Sequence, residues 1–189
     1  ASSTLTVKGA ATLVELTSAL ANAIVTVDAS GMTAGGIKAT LGSGATTAKG
    51  GEGVDTITVG STTTAVSGNG GNDVIILGTN IMGTGGSVDG GAGTDTLSIS
   101  AGNTLTATTA AKVSNVETLR VASAATQTYD FSLISGLTAL EVDTGTSIIA
   151  NKLGASTPVK VIGTQTTDLA LNLASVSGTS DAINVTLEN

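Results

Sequence analysis

One nine-residue pattern occurs three times in this chain, as GGEGVDTIT at residues 50–58, GNGGNDVII at residues 68–76 and GGAGTDTLS at residues 90–98. Each copy starts with a glycine-rich segment, continues with an aspartate and ends in three residues of which the middle one is Ile or Leu. Glycine permits tight turns, and an apolar residue between outward-facing neighbours is typical of a strand with one buried face. Each copy therefore predicts a turn followed by a strand, with Ile57, Ile75 and Leu97 pointing into the core.

The spacing of the copies predicts how they stack. Asp55 and Asp73 are 18 residues apart, which is two nine-residue units and makes one full turn if each unit forms one side of a coil. Asp95 follows Asp73 after 22 residues, and we expect the additional residues to bulge outward at 80–87. Similar strands recur farther on, as LRV at 119–121, LEV at 140–142 and VKV at 159–161. Short coils bury their apolar side only against neighbouring coils, so we predict an all-β fold, a parallel β-roll or β-helix solenoid.

The distribution of glycine divides the chain into three segments. Sixteen of the 26 glycines lie between residues 42 and 93, and only six follow. We predict an N-terminal β segment at 1–49, a glycine-punctuated β-roll at 50–99 and a C-terminal β-solenoid segment at 100–189. Leu13, Leu16 and Leu20 have helical spacing, so residues 12–23 are the one place where we predict a short helix.

The composition disfavours several classes of function. The chain has no His and no Cys, so it cannot form a Ser-His-Asp triad, a Cys-His dyad, a disulfide or the usual zinc and iron-sulfur sites. Fourteen acidic and seven basic residues give a net charge of -7, which opposes binding to nucleic acid. No apolar run approaches the roughly 18 residues of a membrane-spanning helix. We expect a folded protein that is not an enzyme, binds no nucleic acid and does not insert into a membrane. The chain begins with Ala and shows no signal peptide, which suggests a piece of a longer protein.

The aspartates of the three copies indicate a metal site. The pattern G-G-x-G-x-D-x-U-x is the nonapeptide repeat of calcium-binding solenoids. Carbonyl oxygens of the turn, together with an Asp carboxylate, suit the six to eight oxygen ligands that Ca²⁺ prefers. Without metal, the stacked Asp55, Asp73 and Asp95 would repel each other, which would raise their pKa values and oppose folding. We therefore predict Ca²⁺ between the loops at 50–55 and 68–73 and between those at 68–73 and 90–95, with calcium-coupled ordering of at least residues 50–99.

One copy departs from the pattern, because Asn69 stands in place of the second glycine. Asn tolerates the left-handed backbone region better than most residues. We therefore expect the second loop to keep its form.

With these motifs, residues 50–98 resemble the RTX (repeats-in-toxin) family, calcium-binding β-roll proteins that Gram-negative bacteria export by type I secretion. The resemblance implies that Asp55, Asp73 and Asp95 bind calcium through their side chains. It also implies main-chain carbonyl ligands from Gly50, Glu52 and Gly53, from Gly68, Gly70 and Gly71, and from Gly90, Ala92 and Gly93. The flanks, with NVETLRV at 115–121 and DFSLISGLTALE at 130–141, are similar to calcium-dependent surface-layer (S-layer) proteins of that family.

This resemblance implies a structural protein that is secreted and extracellular, on the bacterial cell surface. We expect Ca²⁺ to lock the fold and to promote association with other copies or neighbouring domains in a lattice, with cell-surface polysaccharide as a further partner. Two alternatives stay open. One is an RTX adhesin or ice-binding module, for which the Thr-x-Thr pairs would form regular ranks on a flat face. The other is the noncatalytic C-terminal module of a type I secreted enzyme.

Overall fold

The structure, a computed structural model, describes residues 3–78, 82–100, 105–122, 127–143, 148–154, 156–163, 169–173 and 183–188. Nearly all of its secondary structure consists of short parallel strands that wind into a β-solenoid of about 7 turns. The predicted all-β parallel solenoid is confirmed.

The strands form three sheets. The six-stranded sheet contains, in spatial order, β1 (Ser3–Gly9), β3 (Ile24–Met32), β5 (Thr47–Lys49), β7 (Ala65–Ser67), β9 (Ser87–Asp89) and β11 (Val113–Ser114). The nine-stranded sheet contains β2 (Leu13–Glu15), β4 (Gly36–Thr40), β6 (Thr56–Thr58), β8 (Val74–Gly78), β10 (Thr96–Ser100), β12 (Thr118–Ala122), β14 (Ala139–Val142), β16 (Pro158–Ile162) and β18 (Asn184–Glu188). The third sheet contains β13 (Gln127–Asp130), β15 (Ile148–Leu153) and β17 (Leu169–Leu173). The nine-stranded sheet runs through all three segments that the glycine distribution suggests, and their boundaries stay a prediction.

The register of the nine-stranded sheet follows the spacing of the sequence copies. Thr56 pairs with Val74 and Val74 pairs with Thr96, so the aspartates just before these residues fall on consecutive turns. Leu140 pairs with both Leu119 and Val159, which confirms the repeat predicted from LRV, LEV and VKV.

The additional residues lie after β8, where the sequence predicts them. Ala65 in β7 pairs with Thr47 on one side and with Ser87 on the other, so the additional residues lie before β9. Of the outward bulge expected at 80–87, residues 80 and 81 lie outside the described residues, and Met82, 5% exposed, belongs to the core instead.

A thin, largely aliphatic core, with Tyr129 and Phe131 as its aromatic members, fills the space between the sheets. Ile57, Ile75 and Leu97 are at most 1% exposed, as predicted, and Leu119 and Leu140 continue the same column. Burial of one such side chain contributes about 1.5–3 kcal/mol. Each strand supplies few of them, so the stability of a turn depends on its neighbours. Helical structure in the described ranges is limited to α1 (Ala107–Ala110) and a 3₁₀ turn at Phe131–Leu133.

The short helix predicted at residues 12–23 is wrong. Leu13–Glu15 instead form β2, which pairs with β4. The chain then continues along β4, where the N–H groups of Leu16 and Leu20 donate to the carbonyl oxygens of Lys38 and Thr40, both at 2.9 Å. Pairing with the next turn satisfies this backbone and buries part of Leu16 and Leu20, which outweighs a weak local helical pattern.

Candidate metal centre

Three glycine-rich loops stack along the side of the nine-stranded sheet on which β6, β8 and β10 begin. Residues 50–55, 68–73 and 90–95 lead directly into β6, β8 and β10, whose pairing places each loop beside the next. The three aspartates are buried, with exposed fractions of 0% for Asp55, 1% for Asp73 and 1% for Asp95. The structure thus brings the predicted side chains into one column and removes their carboxyl groups from water.

A ladder of hydrogen bonds connects this column from turn to turn. Oδ1 of Asp55 accepts the N–H of Ile37 at 2.5 Å, and Oδ1 of Asp73 accepts the N–H of Asp55 at 2.8 Å. Oδ1 of Asp95 accepts the N–H of Asp73, also at 2.8 Å. Each carboxyl group therefore uses one oxygen to bind the backbone of the preceding turn.

The second oxygens of these carboxyl groups differ in their surroundings. Oδ2 of Asp55 accepts the N–H of Gly51 at 2.8 Å. Oδ2 of Asp73 and Oδ2 of Asp95 are buried and have no hydrogen-bond partner in the described part of the chain. Burying a charged oxygen without a partner is strongly unfavourable. These two atoms therefore require a proton, a water molecule or a cation.

The first residue of each loop must be glycine because oxygen atoms lie where a side chain would begin, and not because of its backbone angles. A methyl group on Gly68 would collide with Oδ2 of Asp73 and with the carbonyl oxygen of Gly90. A methyl group on Gly90 would likewise meet Oδ2 of Asp95 and the carbonyl oxygen of Asn115. Each carboxyl oxygen without a partner thus lies close to a carbonyl oxygen of the following turn, because both contact the position that a Cβ atom on the glycine would occupy. Oxygen atoms that converge in this way form a donor set that Ca²⁺ accepts.

Left-handed backbone angles occur at other loop positions. Asn69, which stands where the pattern has its second glycine, has φ of 72°, and Gly91 at the same position of the third copy has φ of 105°. The left-handed conformation expected of Asn69 is therefore present.

Burial raises the pKa of all three aspartates. For Asp73, desolvation is the largest cause, the charges of Asp55 and Asp95 add to it, and the pKa rises to about 7. Desolvation is also the main reason why the pKa values of Asp55 and Asp95 are raised. The direction expected from the sequence is correct, but burial contributes more than repulsion between like charges.

The carbonyl oxygens implied by the resemblance fall into two groups. That of Gly50 accepts the side-chain N–H of Asn69 at 2.7 Å, and that of Ala92 accepts the N–H of Gly71 at 2.9 Å. Among the described residues, no hydrogen bond reaches the other carbonyls of the set, those of Glu52, Gly53, Gly68, Gly70, Gly71, Gly90 and Gly93. No group of three acidic side chains within the described ranges could hold a metal by itself, so a cation here would need these carbonyls. The role of all twelve residues as ligands stays a prediction.

A fourth rung, which the nine-residue pattern does not predict, extends the ladder. Oε2 of Glu117 accepts the N–H of Asp95 at 2.8 Å, as each aspartate does for the turn before it. A signal for it exists in the sequence, because Glu117 follows Asp95 by 22 residues, the same spacing as from Asp73 to Asp95. Both Asp95 and Glu117 also precede Thr-Leu. The turn before Glu117 has no glycine, and a search for glycine-rich copies therefore passes over it.

Comparisons with known proteins give no relative from which a function could be inferred, so a functional proposal rests on the fold and on this ladder. Against family models, curated proteins and solved structures, nothing matches this chain. Within the described residues, no helix is long and apolar enough to cross a membrane.

Proposed function

We propose that this chain is a calcium-dependent β-solenoid of the repeats-in-toxin kind and forms part of a secreted surface-layer protein. Ca²⁺ locks the stacked loops and thereby promotes assembly on the bacterial cell surface, without catalysis. The proposal rests on one observation, the two buried and partnerless oxygens, Oδ2 of Asp73 and Oδ2 of Asp95, each beside a carbonyl oxygen of the following turn.

The chemistry of the donors favours Ca²⁺ over other metals. All candidate ligands are carboxylate or carbonyl oxygens, which bind hard cations, and the chain has no His or Cys for softer ones. Asp73 and the carbonyls of Gly68 and Gly90 would hold an ion between the second and third loops. Between the first and second loops, Gly51 and Asn69 already donate N–H groups to two of the expected ligands, so we expect this position to bind more weakly.

The expected affinity supports a location outside the cell. A site with few carboxylates and many neutral carbonyls belongs at the weak end of protein calcium sites, about 10⁻⁴–10⁻³ M, as in extracellular modules. A site with such a dissociation constant fills at the calcium concentration outside the cell and stays empty at the much lower concentration in the cytosol.

Assembly with other copies is supported by the ends of the nine-stranded sheet. All of β18 is exposed, and its Val185 and Leu187, 48% and 72% exposed, pair with the buried Val159 and Val161. At the other end, Leu13 in β2 is 50% exposed. Open sheet edges with apolar residues are templates for pairing with another chain. A neighbouring domain or a second copy that continues the stack would cover them.

The ice-binding alternative has no comparable support. It requires uniform ranks of Thr, whereas one row of paired residues along the nine-stranded sheet runs Lys38, Thr56, Val74 and Thr96. A charged and a β-branched apolar residue interrupt the row. An adhesin or the module of a secreted enzyme would use the same calcium loops.

Titration of Ca²⁺ into chelator-treated protein tests the proposal. Far-UV circular dichroism reports ordering, light scattering reports assembly, and Mg²⁺ is the control because it demands a stricter octahedral geometry. A gain of β signal with growth of particles supports a calcium-assembled surface-layer protein. A gain of β signal without assembly would leave a calcium-folded module, and no response up to about 10⁻² M, well above the expected range, would refute calcium binding.

A further inference from the structure

We propose a further cation site one turn beyond the last glycine-rich loop, formed by Asp95, the carbonyl oxygen of Asn115 and Glu117. The inference rests on the proposed calcium binding and assigns an ion to a turn that carries no copy of the nine-residue pattern.

The first support is a buried oxygen that the protein leaves without a partner. Asp95 is 1% exposed, its Oδ1 accepts the N–H of Asp73, and its Oδ2 has no hydrogen bond among the described residues. That oxygen lies on the side of Gly90 that also faces the carbonyl oxygen of Asn115. The pair matches the one made by Asp73 and Gly90 one turn earlier, although Asn115 belongs to no glycine-rich loop.

The second support is the backbone of the turn that supplies this carbonyl. Asn115 has φ of 51°, a left-handed conformation that Asn adopts more readily than most residues. Its side-chain N–H groups donate to Oδ1 of Asp89 at 2.7 Å, which anchors the turn to the preceding one. The register of β11 on β9 places Asn115 beside Gly90, so its carbonyl oxygen lies next to Gly90 as the carbonyl oxygen of Gly90 lies next to Gly68.

The third support is the concentration of negative charge. Glu117 contributes Oε2 to the ladder through the N–H of Asp95, and the charges of Glu117 and Asp89 both act on Asp95. A divalent cation beside Asp95 would offset this repulsion and supply the missing partner of Oδ2. The carboxyl group of Glu117 belongs to the site, as a ligand or as the nearest compensating charge.

The number of Ca²⁺ ions that bind on folding can be measured from the way the free energy of unfolding depends on calcium concentration. The slope of the unfolding free energy against ln[Ca²⁺], divided by RT, equals that number when the folded form alone binds. Urea unfolding of the full chain at several Ca²⁺ concentrations gives this slope for the wild type and for Glu117→Gln. The Gln variant keeps an oxygen that accepts the N–H of Asp95 but has no charge. Glu15→Gln is the control, because Glu15 forms an exposed ion pair with Lys38 at the far end of the sheet.

Glu117→Gln should lower the slope by about one ion at concentrations where the wild type is saturating, whereas Glu15→Gln should match the wild type. A wild-type slope retained in Glu117→Gln overturns the additional site and leaves the proposed calcium binding intact. A wild-type slope of zero overturns both. If Glu117→Gln does not fold, Asp95→Asn is tested by the same criterion, since its amide N–H can donate to the Asn115 carbonyl in place of the ion.

Discussion

Asp73→Asn should make the protein more stable without calcium and abolish most of its response to calcium. Oδ1 of Asp73 accepts the N–H of Asp55, which an amide oxygen does equally well. Oδ2 has no partner and lies beside the carbonyl oxygen of Gly90. In the variant, the amide nitrogen takes the place of Oδ2 and donates a hydrogen bond to that carbonyl. The amide group of the variant thus has hydrogen-bond partners within the protein, whereas Oδ2 of the wild type needs a proton, a water molecule or a cation.

The magnitude follows from the raised pKa of Asp73. The pKa rises from 3.8 in the unfolded chain to about 7 in the folded protein, and each pKa unit corresponds to about 1.4 kcal/mol. The penalty for ionisation is absent below about pH 4 and complete above about pH 7, where it reaches about 4 kcal/mol at most. Since water partly relaxes such sites, we expect a gain of about 2 kcal/mol for the variant in chelator at pH 8, or about 4–8 °C in Tm. Calcium at about 100 times Kd should add about 2.7 kcal/mol per ion to the wild type, and the variant loses this contribution at Asp73.

Urea unfolding at pH 8, followed by far-UV circular dichroism with chelator and with Ca²⁺, measures both effects. Asp28→Asn is the control, because Oδ1 of Asp28 caps its own turn by accepting the N–H and the hydroxyl of Ser30, at 3.1 and 2.6 Å. The control should lose the same small amount of stability in both buffers. The reasoning fails if Asp73→Asn is less stable than the wild type in chelator, or if calcium stabilises it as much as the wild type.

The same ladder predicts three other responses. Asp55→Asn should destabilise the protein by about 1–3 kcal/mol with or without calcium, because both oxygens of Asp55 accept N–H groups, one of them from Gly51; urea midpoints in the two buffers measure this. In chelator, the wild type should lose stability as pH rises from about 4 to about 7, most steeply between about pH 5 and 6, where folded Asp73, with its pKa of about 7, keeps a proton that the unfolded chain has lost; calcium should flatten that profile. Gly68→Ala should cost more than about 2 kcal/mol, since its methyl group collides with two oxygens. Gly154→Ala, where a methyl group meets only a hydroxyl oxygen at 3.3 Å, should stay within about 1 kcal/mol; thermal unfolding compares the two.

The sequence predicts the column of aspartates because two simple periods determine it. Apolar residues at Ile57, Ile75 and Leu97 define which side of each strand is buried, and a one-residue slip would turn them to solvent. The spacing from Asp55 to Asp73 then determines which loop lies beside which. Both kinds of information are local patterns, so they can be read without knowing the fold in detail.

The fate of each carboxyl oxygen could not be predicted in the same way. Asp55 and Asp73 follow nearly the same motif, yet only Asp55 has a second N–H donor, from Gly51. That difference depends on the path of a glycine-rich backbone, whose many allowed angles no residue pattern restricts. Glu117 shows the opposite case, in which the register of β12 on β10 creates a rung where the turn has no glycine.

The position of the ladder makes the whole solenoid depend on it. The three loops lie beside β6, β8 and β10, in the middle of the nine-stranded sheet. If they lose order, the sheet divides into two parts, each with a newly open edge and few inward side chains per strand. A penalty of about 2 kcal/mol at Asp73 alone, after partial relaxation by water, is a sizeable share of the roughly 5–15 kcal/mol by which domains are stable. Under the proposed function, low calcium would therefore hold back folding and assembly inside the cell. Calcium outside the cell would complete the ladder and, with it, the continuous sheet whose end strands would pair with neighbouring domains or other copies.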